Sequence, residues 1–184
     1  MPFTVVSTAL PEVLLLEPKV FGDARGFFFE SYNRRDFAAA TGMDPEFVQD
    51  NHSRSARGVL RGLHYQIRHP QGKLVRVVAG RVWDVAVDLR RASPNYGRWA
   101  GVELSGENRR LLWIPPGFAH GFVSLADDTE FLYKTTDYWF AEHERSLLWN
   151  DPQLGIDWSL QGLQPLLAAK DAAAPLLRDC ETFD

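Results

Sequence analysis

The chain has 184 residues, 45% of them apolar and 12% aromatic, with 24% charged side chains, a formal net charge of −4 and one cysteine. These are globular values for a single domain spanning residues 1–184 with a sizeable core, and they leave no disordered arm, no internal disulfide and no basic face able to track a nucleic acid. No segment nears the roughly 20 apolar residues of a membrane helix, and the start Met1-Pro2-Phe3-Thr4-Val5 lacks a secretory signal pattern, so the expectation is no membrane, no nucleic acid and a cytoplasmic location.

In chain order, the aliphatic run at residues 13–16 ends at Pro18 and reads as a strand closing in a turn. Residues 22–26 read as loop and residues 27–32 as a β-favouring run. Asn33 then suits an N-cap for a helix over residues 34–40 that stops at Gly42. Residues 48–53 are a short polar strand or loop gathering hydrogen-bonding groups.

The stretch Arg57-Gly58-Val59-Leu60-Arg61-Gly62-Leu63-His64-Tyr65-Gln66 follows. As an extended strand it puts Leu60, Gly62, His64 and Gln66 on one face and Arg61, Leu63 and Tyr65 on the other. From Lys73 the pattern is all β. Residues 81–90 alternate cleanly, with Trp83, Val85, Val87 and Leu89 on one face and Asp84, Ala86, Asp88 and Arg90 on the other. Turn signals at residues 93–97, 106–108 and 115–117 separate further short strands at roughly the 8–12-residue spacing of sandwiches and barrels. The Pro- and Gly-containing tail from Asp151 is expected to wrap the barrel, with a short helix in the alanine-rich segment after Asp171. The fold class is therefore mainly β: a cupin-like jelly-roll β-barrel with a few short peripheral helices.

Five histidines, His52, His64, His69, His120 and His143, are the first test of a metal site. Metal-binding barrels commonly present two histidines two residues apart plus a glutamate, but the positions two residues from His64 hold Gly62 and Gln66. His64 and His120 meeting across the barrel lack a clear third ligand, so the expectation is no metal and no cofactor. A metal-free proton-transfer site is the better account of a cavity histidine. Its imidazole needs a carboxylate partner, for which Asp171, Asp84 and Asp88 are candidates. Tyr133 is a candidate acid, and Lys73 or Arg61 a candidate oxyanion partner.

Residues 57–66, Gln71-Gly72-Lys73-Leu74, residues 84–90, Pro115-Pro116-Gly117-Phe118-Ala119-His120-Gly121-Phe122 and Trp149-Asn150-Asp151-Pro152 together resemble the dTDP-4-dehydrorhamnose 3,5-epimerases. The likeness runs in register from Phe21 to Asp171. It implies a homodimeric, metal-free barrel that inverts C3 and C5 of a dTDP-4-keto-6-deoxy sugar through an enolate. By the same resemblance His64 is the base, Asp171 its partner, Tyr133 the acid and Lys73 the oxyanion partner. Substrate contacts carry over to Arg25, Glu30, Gln49, Asp50, Asn51, Arg61, His120, Glu144 and Lys170, with Arg25 reaching the partner subunit's site.

Trp139 stands where many members have a second tyrosine. An indole stacks on a ligand but donates no phenolic proton, which keeps a single-position epimerase or a ketoisomerase open as alternatives. A non-catalytic nucleotide-sugar-binding cupin is the alternative from another class. If Arg61 and His64 both face the ligand, strict alternation must fail, and a bulge or twist near Gly62 is the expected cause.

Overall fold

The computed structural model describes residues 3–184; Met1 and Pro2, where the N-terminal reading begins, lie outside them. Strand β1 (Phe3–Ser7) pairs antiparallel with β2 (Leu14–Pro18), which ends at its proline. Next comes a small hairpin, β3 (Phe21–Asp23) and β4 (Gly26–Phe28), that among the described residues pairs only with itself. Residues 22–26 are thus hairpin rather than simple loop, and the following β-favouring run is paired as strand only to Phe28.

Helix α1 (Arg34–Thr41) starts where Asn33 Oδ1 accepts the Asp36 amide at 3.3 Å and stops at Gly42, whose φ of 73° turns the chain left-handed. The remaining strands are β5 (Gln49–Ser55), β6 (Val59–Gln66), β7 (Lys73–Ala79), β8 (Arg81–Asp88), β9 (Trp99–Ser105), β10 (Leu111–Ile114), β11 (Phe118–Ser124), β12 (Thr129–Thr135), β13 (Glu144–Ser146) and the short β14 (Leu166–Leu167). Helix α2 (Ala169–Ala172) follows at once.

Two facing sheets form a cupin-like jelly roll, one in the order β1-β2-β10-β7-β12-β5 and the other β13-β6-β11-β8-β9, with β14 added beside β6. Period-two alternation sorts the side chains into three apolar layers. Between the sheets lie Val75, Val77, Leu112, Ile114 and Phe131 from the first and Val82, Ala86, Leu104, Phe118 and Phe122 from the second. On the outer face of the second sheet, Val85, Val87 and Leu89 pack under the wrapped tail through Leu154, Trp158 and Leu177. On the outer face of the first, Leu74, Leu111 and Trp113 receive Phe37 of α1, which is fully buried. Burying Phe37 contributes roughly 1.5–3 kcal/mol, far more than an eight-residue helix gains from its own turns.

The strand that carries the opening motif departs from simple alternation in the expected place. Leu60, Leu63 and Tyr65 pack outward with the tail, while Arg61, His64 and Gln66 line the interior. Between them Gly62 adopts a φ of 119°, a cis peptide joins it to Leu63, and the register of β6 on β11 shifts between the pairs His120↔His64 and Phe122↔Arg61. Leu60 therefore lies on the face opposite His64, a correction to the reading of the strand as regular. Glycine is required here: a Cβ on Gly62 would sit 2.6 Å from the Gly121 Cα and 2.8 Å from the His120 carbonyl oxygen.

Candidate active site

One end of the barrel opens into a cavity of about 430 Å³. Its chemistry is arranged on six strands and the tail. His64 of β6 stands across from His120 of β11, its cross-strand partner, and Tyr133 of β12 stands across from Asn51 of β5. Lys73 opens β7, Glu144 opens β13 opposite Gln66, and α2 supplies Lys170 and Asp171. Asp171 lies inside α2, which begins at Ala169 rather than after the aspartate as expected, and its carboxylate caps no helix.

His64 Nε2 and Asp171 Oδ1 are 2.6 Å apart, and the second carboxylate oxygen faces the Gly62 amide at 3.5 Å. The aspartate side chain is 3% exposed, the imidazole 24%, so the carboxylate is sheltered and the ring is open to the cavity. Burial pushes the Asp171 carboxyl up, but the hydrogen bond and charge of His64, the Gly62 N–H and Lys170 together outweigh it, and the net shift is downward from 3.8. An ionised Asp171 takes the Nε2 proton as a hydrogen bond, which leaves Nδ1 as the basic nitrogen. Nδ1 has no protein partner among the described residues.

Lys73 is buried, with no direct hydrogen-bond or ion-pair partner among the described residues. Desolvation pushes its pKa down to about 8, against the opposing charges of Asp84 and Glu144. Burial, helped by the Glu144 charge and opposed by Arg61, pushes the Tyr133 phenol up, so it stays protonated at neutral pH. Deeper in, His120 Nε2 lies 3.0 Å from both oxygens of Asp84, and desolvation lowers its pKa despite that carboxylate. Asp84 thus partners His120 rather than His64. Asp88, the other inward candidate, is bound by Arg90 and the Ser93 hydroxyl away from the cavity.

The substrate-contact candidates divide. Asn51, Arg61, His120, Trp139, Glu144 and Lys170 line the cavity together with the four catalytic candidates. Arg61 donates from Nε to the Ser55 hydroxyl at 3.1 Å, and Lys170 Nζ donates to both Glu144 oxygens at 3.2 Å. Gln49 sits just behind the wall: its Nε2 donates to Asn51 and its Oε1 accepts the Trp139 amide at 3.1 Å. Asp50 falls on the outer face of the sheet, paired with Lys134 at 2.9 Å and lining a separate cavity of about 230 Å³. Within one chain Arg25 is also away from the site, on the exposed hairpin with Asp23, and Glu30 is exposed outside the cavity. Phe122 and Phe131, stacked at 4.2 Å, also form the cavity wall, as does Gln66, which the sequence places on the His64 face without a role; each shares a strand face with His120, Tyr133 or His64 at a spacing of two, which is the available signal.

Residues 7–179 match the family model for dTDP-4-dehydrorhamnose 3,5-epimerase. The chain belongs to that family. Among its relatives, the Pseudomonas aeruginosa dTDP-4-dehydrorhamnose 3,5-epimerase is 64% identical over 175 residues, covering 95% of this chain and 96% of its own. The Salmonella typhimurium enzyme of the same name is 60% identical over 174 residues, 94% of each chain. Among solved structures, a Legionella pneumophila dTDP-6-deoxy-D-glucose-3,5-epimerase in complex with dTDP-4-keto-L-rhamnose superposes with a TM-score of 0.94 at 53% identity, over 97% of this chain and 95% of that one. A Streptomyces bikiniensis 3'-monoepimerase bound to dTDP-quinovose reaches 0.87 at 34% identity, over 94% and 87%. No described helix is long and apolar enough to cross a membrane, and no group of three or more His, Cys, Asp or Glu among the described residues is arranged to hold a metal ion.

Proposed function

We propose that this chain is a dTDP-4-dehydrorhamnose 3,5-epimerase: it inverts C3 and C5 of dTDP-4-keto-6-deoxy-D-glucose to give dTDP-4-keto-L-rhamnose. The observation that carries this reading is the 2.6 Å His64–Asp171 pair in one cavity with Tyr133 and Lys73, in a chain 64% identical to an enzyme so named. The C4 carbonyl acidifies the hydrogens on C3 and C5. His64 Nδ1 takes one of these protons and its electron pair moves into the carbonyl to form an enolate, whose oxygen the Lys73 ammonium steadies. Tyr133 returns a proton to carbon from the opposite face; His64 then releases its proton to water and the Tyr133 phenolate takes one up, which resets both groups, and the cycle repeats at the second carbon. Positioned proton transfer contributes about 10²–10⁴-fold, so oxyanion stabilisation at Lys73 supplies a comparable share. Aspartate-supported His64 carries the transient positive charge.

The same reading makes the active protein a homodimer. Phe21, Phe27 and Phe28 are 55%, 58% and 68% exposed on a hairpin that pairs with no other strand among the described residues, and Arg25 is carried between them. Docking that hairpin on a partner subunit removes this apolar surface from water, gives Arg25 a diphosphate to meet, and leaves Glu30 to accept from ligand O–H or N–H groups. One domain serves the whole reaction, since Asp171 of the tail completes a site whose base is 107 residues earlier. We place the protein in the cytoplasm, which its single free cysteine supports.

Incubation with dTDP-4-keto-6-deoxyglucose in D₂O, followed by proton NMR, is expected to put deuterium at both C3 and C5. Incorporation at one carbon selects the single-position epimerase that Trp139 leaves open. Binding without exchange selects the non-catalytic module, and movement of the carbonyl selects the ketoisomerase.

A further inference from the structure

Gln66 lies two residues beyond His64 on the same face of β6, is 3% exposed, and takes no part in the chemistry above. Its amide is spent on three backbone groups. Nε2 donates to the His69 carbonyl at 2.8 Å and to the Tyr138 carbonyl at 3.1 Å, while Oε1 accepts the Phe140 amide at 2.6 Å. Tyr138 and Phe140 flank Trp139, which lines the cavity although 54% exposed.

The segment holding Trp139 belongs to no helix or strand, so no backbone ladder fixes it. Side chains do so instead. Gln49 accepts the Trp139 amide at 3.1 Å, Gln71 and Thr135 each donate to the Asp137 carbonyl at 2.9 Å, and the Phe140 ring lies 4.7 Å from that of His69. Of these anchors Gln66 alone bonds the residues on both sides of Trp139, and it does so from the strand that carries the base. A buried amide with both its donors and its acceptor satisfied is a rigid link.

We propose that Gln66 is a positioning residue that fixes the Trp139 wall relative to His64 and thereby sets how the sugar ring presents C3 and C5 to the base. This rests on the epimerase reading. Release of the loop misplaces the ring, and a misplacement of about 1 Å at a remote support can cost roughly 10²-fold in rate.

Two variants test it. Gln66→Met keeps the volume and removes all three hydrogen bonds. Gln66→Glu keeps the acceptor for the Phe140 amide, loses both donors when ionised, and regains one when protonated. With folding checked by thermal melts and binding by titration with dTDP, Gln66→Met is expected to hold dTDP within about threefold of wild type. Its turnover falls about tenfold or more, and its ratio of C3 to C5 deuterium incorporation changes. Gln66→Glu is expected to recover activity, relative to wild type at each pH, as pH falls and the buried carboxyl protonates. A folded Gln66→Met with wild-type rate and wild-type C3:C5 ratio overturns the inference. If Gln66→Met does not fold, a Gln66→Glu activity ratio that is flat with pH overturns it. A wild-type protein that incorporates deuterium at neither carbon overturns the epimerase reading and this inference with it, whereas exchange in wild type with unaffected variants overturns this inference alone.

Discussion

Replacing Asp171 by asparagine is the sharpest test of the proposed proton path, because it changes charge and donor pattern while keeping shape. Both groups that meet this side chain are donors: His64 Nε2–H at 2.6 Å and the Gly62 N–H at 3.5 Å. A carboxylate accepts from both. An amide cannot, so either its NH₂ faces the imidazole and drives the ring proton onto Nδ1, removing the base, or its NH₂ faces Gly62 and two donors meet. Losing the charge of a charge-assisted hydrogen bond costs about 1–2 kcal/mol, and leaving a buried donor without its acceptor costs about 1–3 kcal/mol. The sum, roughly 2–5 kcal/mol, corresponds to a loss centred on about 10²–10³-fold in the rate of proton abstraction. Single-turnover deuterium incorporation at C3 measures that rate, and dTDP binding should hold. The folded pKa of Asp171 is depressed, so its stabilising contribution is present above the ordinary value of 3.8 and is lost as pH falls through the lower folded value. The asparagine variant should lack that acid limb in a melt series. Turnover within threefold of wild type would refute the assignment of Asp171 as the group that orients His64.

Lys73→Met is expected to cut turnover about 10²-fold or more while raising the melting temperature at pH 7, since the variant no longer buries an ammonium; a destabilised variant would show that the charge is compensated. With a folded pKa near 8 against 10.5 unfolded, the unfolded chain holds more protons between those values, so wild-type stability should rise with pH across that window while turnover falls above about 8. Tyr133→Phe should lose inversion by about 10²–10⁴-fold yet retain more exchange of the abstracted proton with D₂O, because His64 is untouched; equal loss of both would remove Tyr133 from the role of acid. Gly62→Ala, with its φ of 119° and a Cβ 2.6 Å from the Gly121 Cα, should destabilise by roughly 3 kcal/mol or more, read as a shift in urea midpoint.

The parts of this molecule that local rules govern could be read from its sequence, and the parts that depend on one strand meeting another could not. Asn33 and Gly42 bracket α1 because capping involves residues a few positions apart, and residues 82–89 show their two faces because β8 is regular. Motif likeness also pointed to His64, Lys73, Tyr133 and Asp171, which the fold gathers into one cavity. Asp50 shows where likeness to a motif runs out: it follows Gln49 and precedes Asn51, yet alternation turns its carboxylate to Lys134 on the outside. The bulge at Gly62 follows from the family resemblance, which sends Arg61 and His64 to one ligand against strict alternation. The work of Gln66 had no such signal, because the partners that tie it to Trp139 are main-chain groups of a loop more than seventy residues away.

Two histidine–aspartate pairs stand side by side across β6 and β11, and their surroundings give them different tasks. His120 and Asp84 are both buried deep in the barrel beside Lys73, so desolvation keeps the imidazole neutral and leaves the carboxylate to offset the buried ammonium. His64 shares its strand register but is 24% exposed, and its carboxylate arrives on a separate helix from the tail. That pair combines a more exposed ring, with Nδ1 free at the cavity, and a sheltered negative charge behind it. A base must gain and release a proton in every cycle, which a fully desolvated imidazole does poorly. His120→Asn should therefore weaken turnover less than His64→Asn does, and a larger loss at His120 would reverse the assignment of the two pairs.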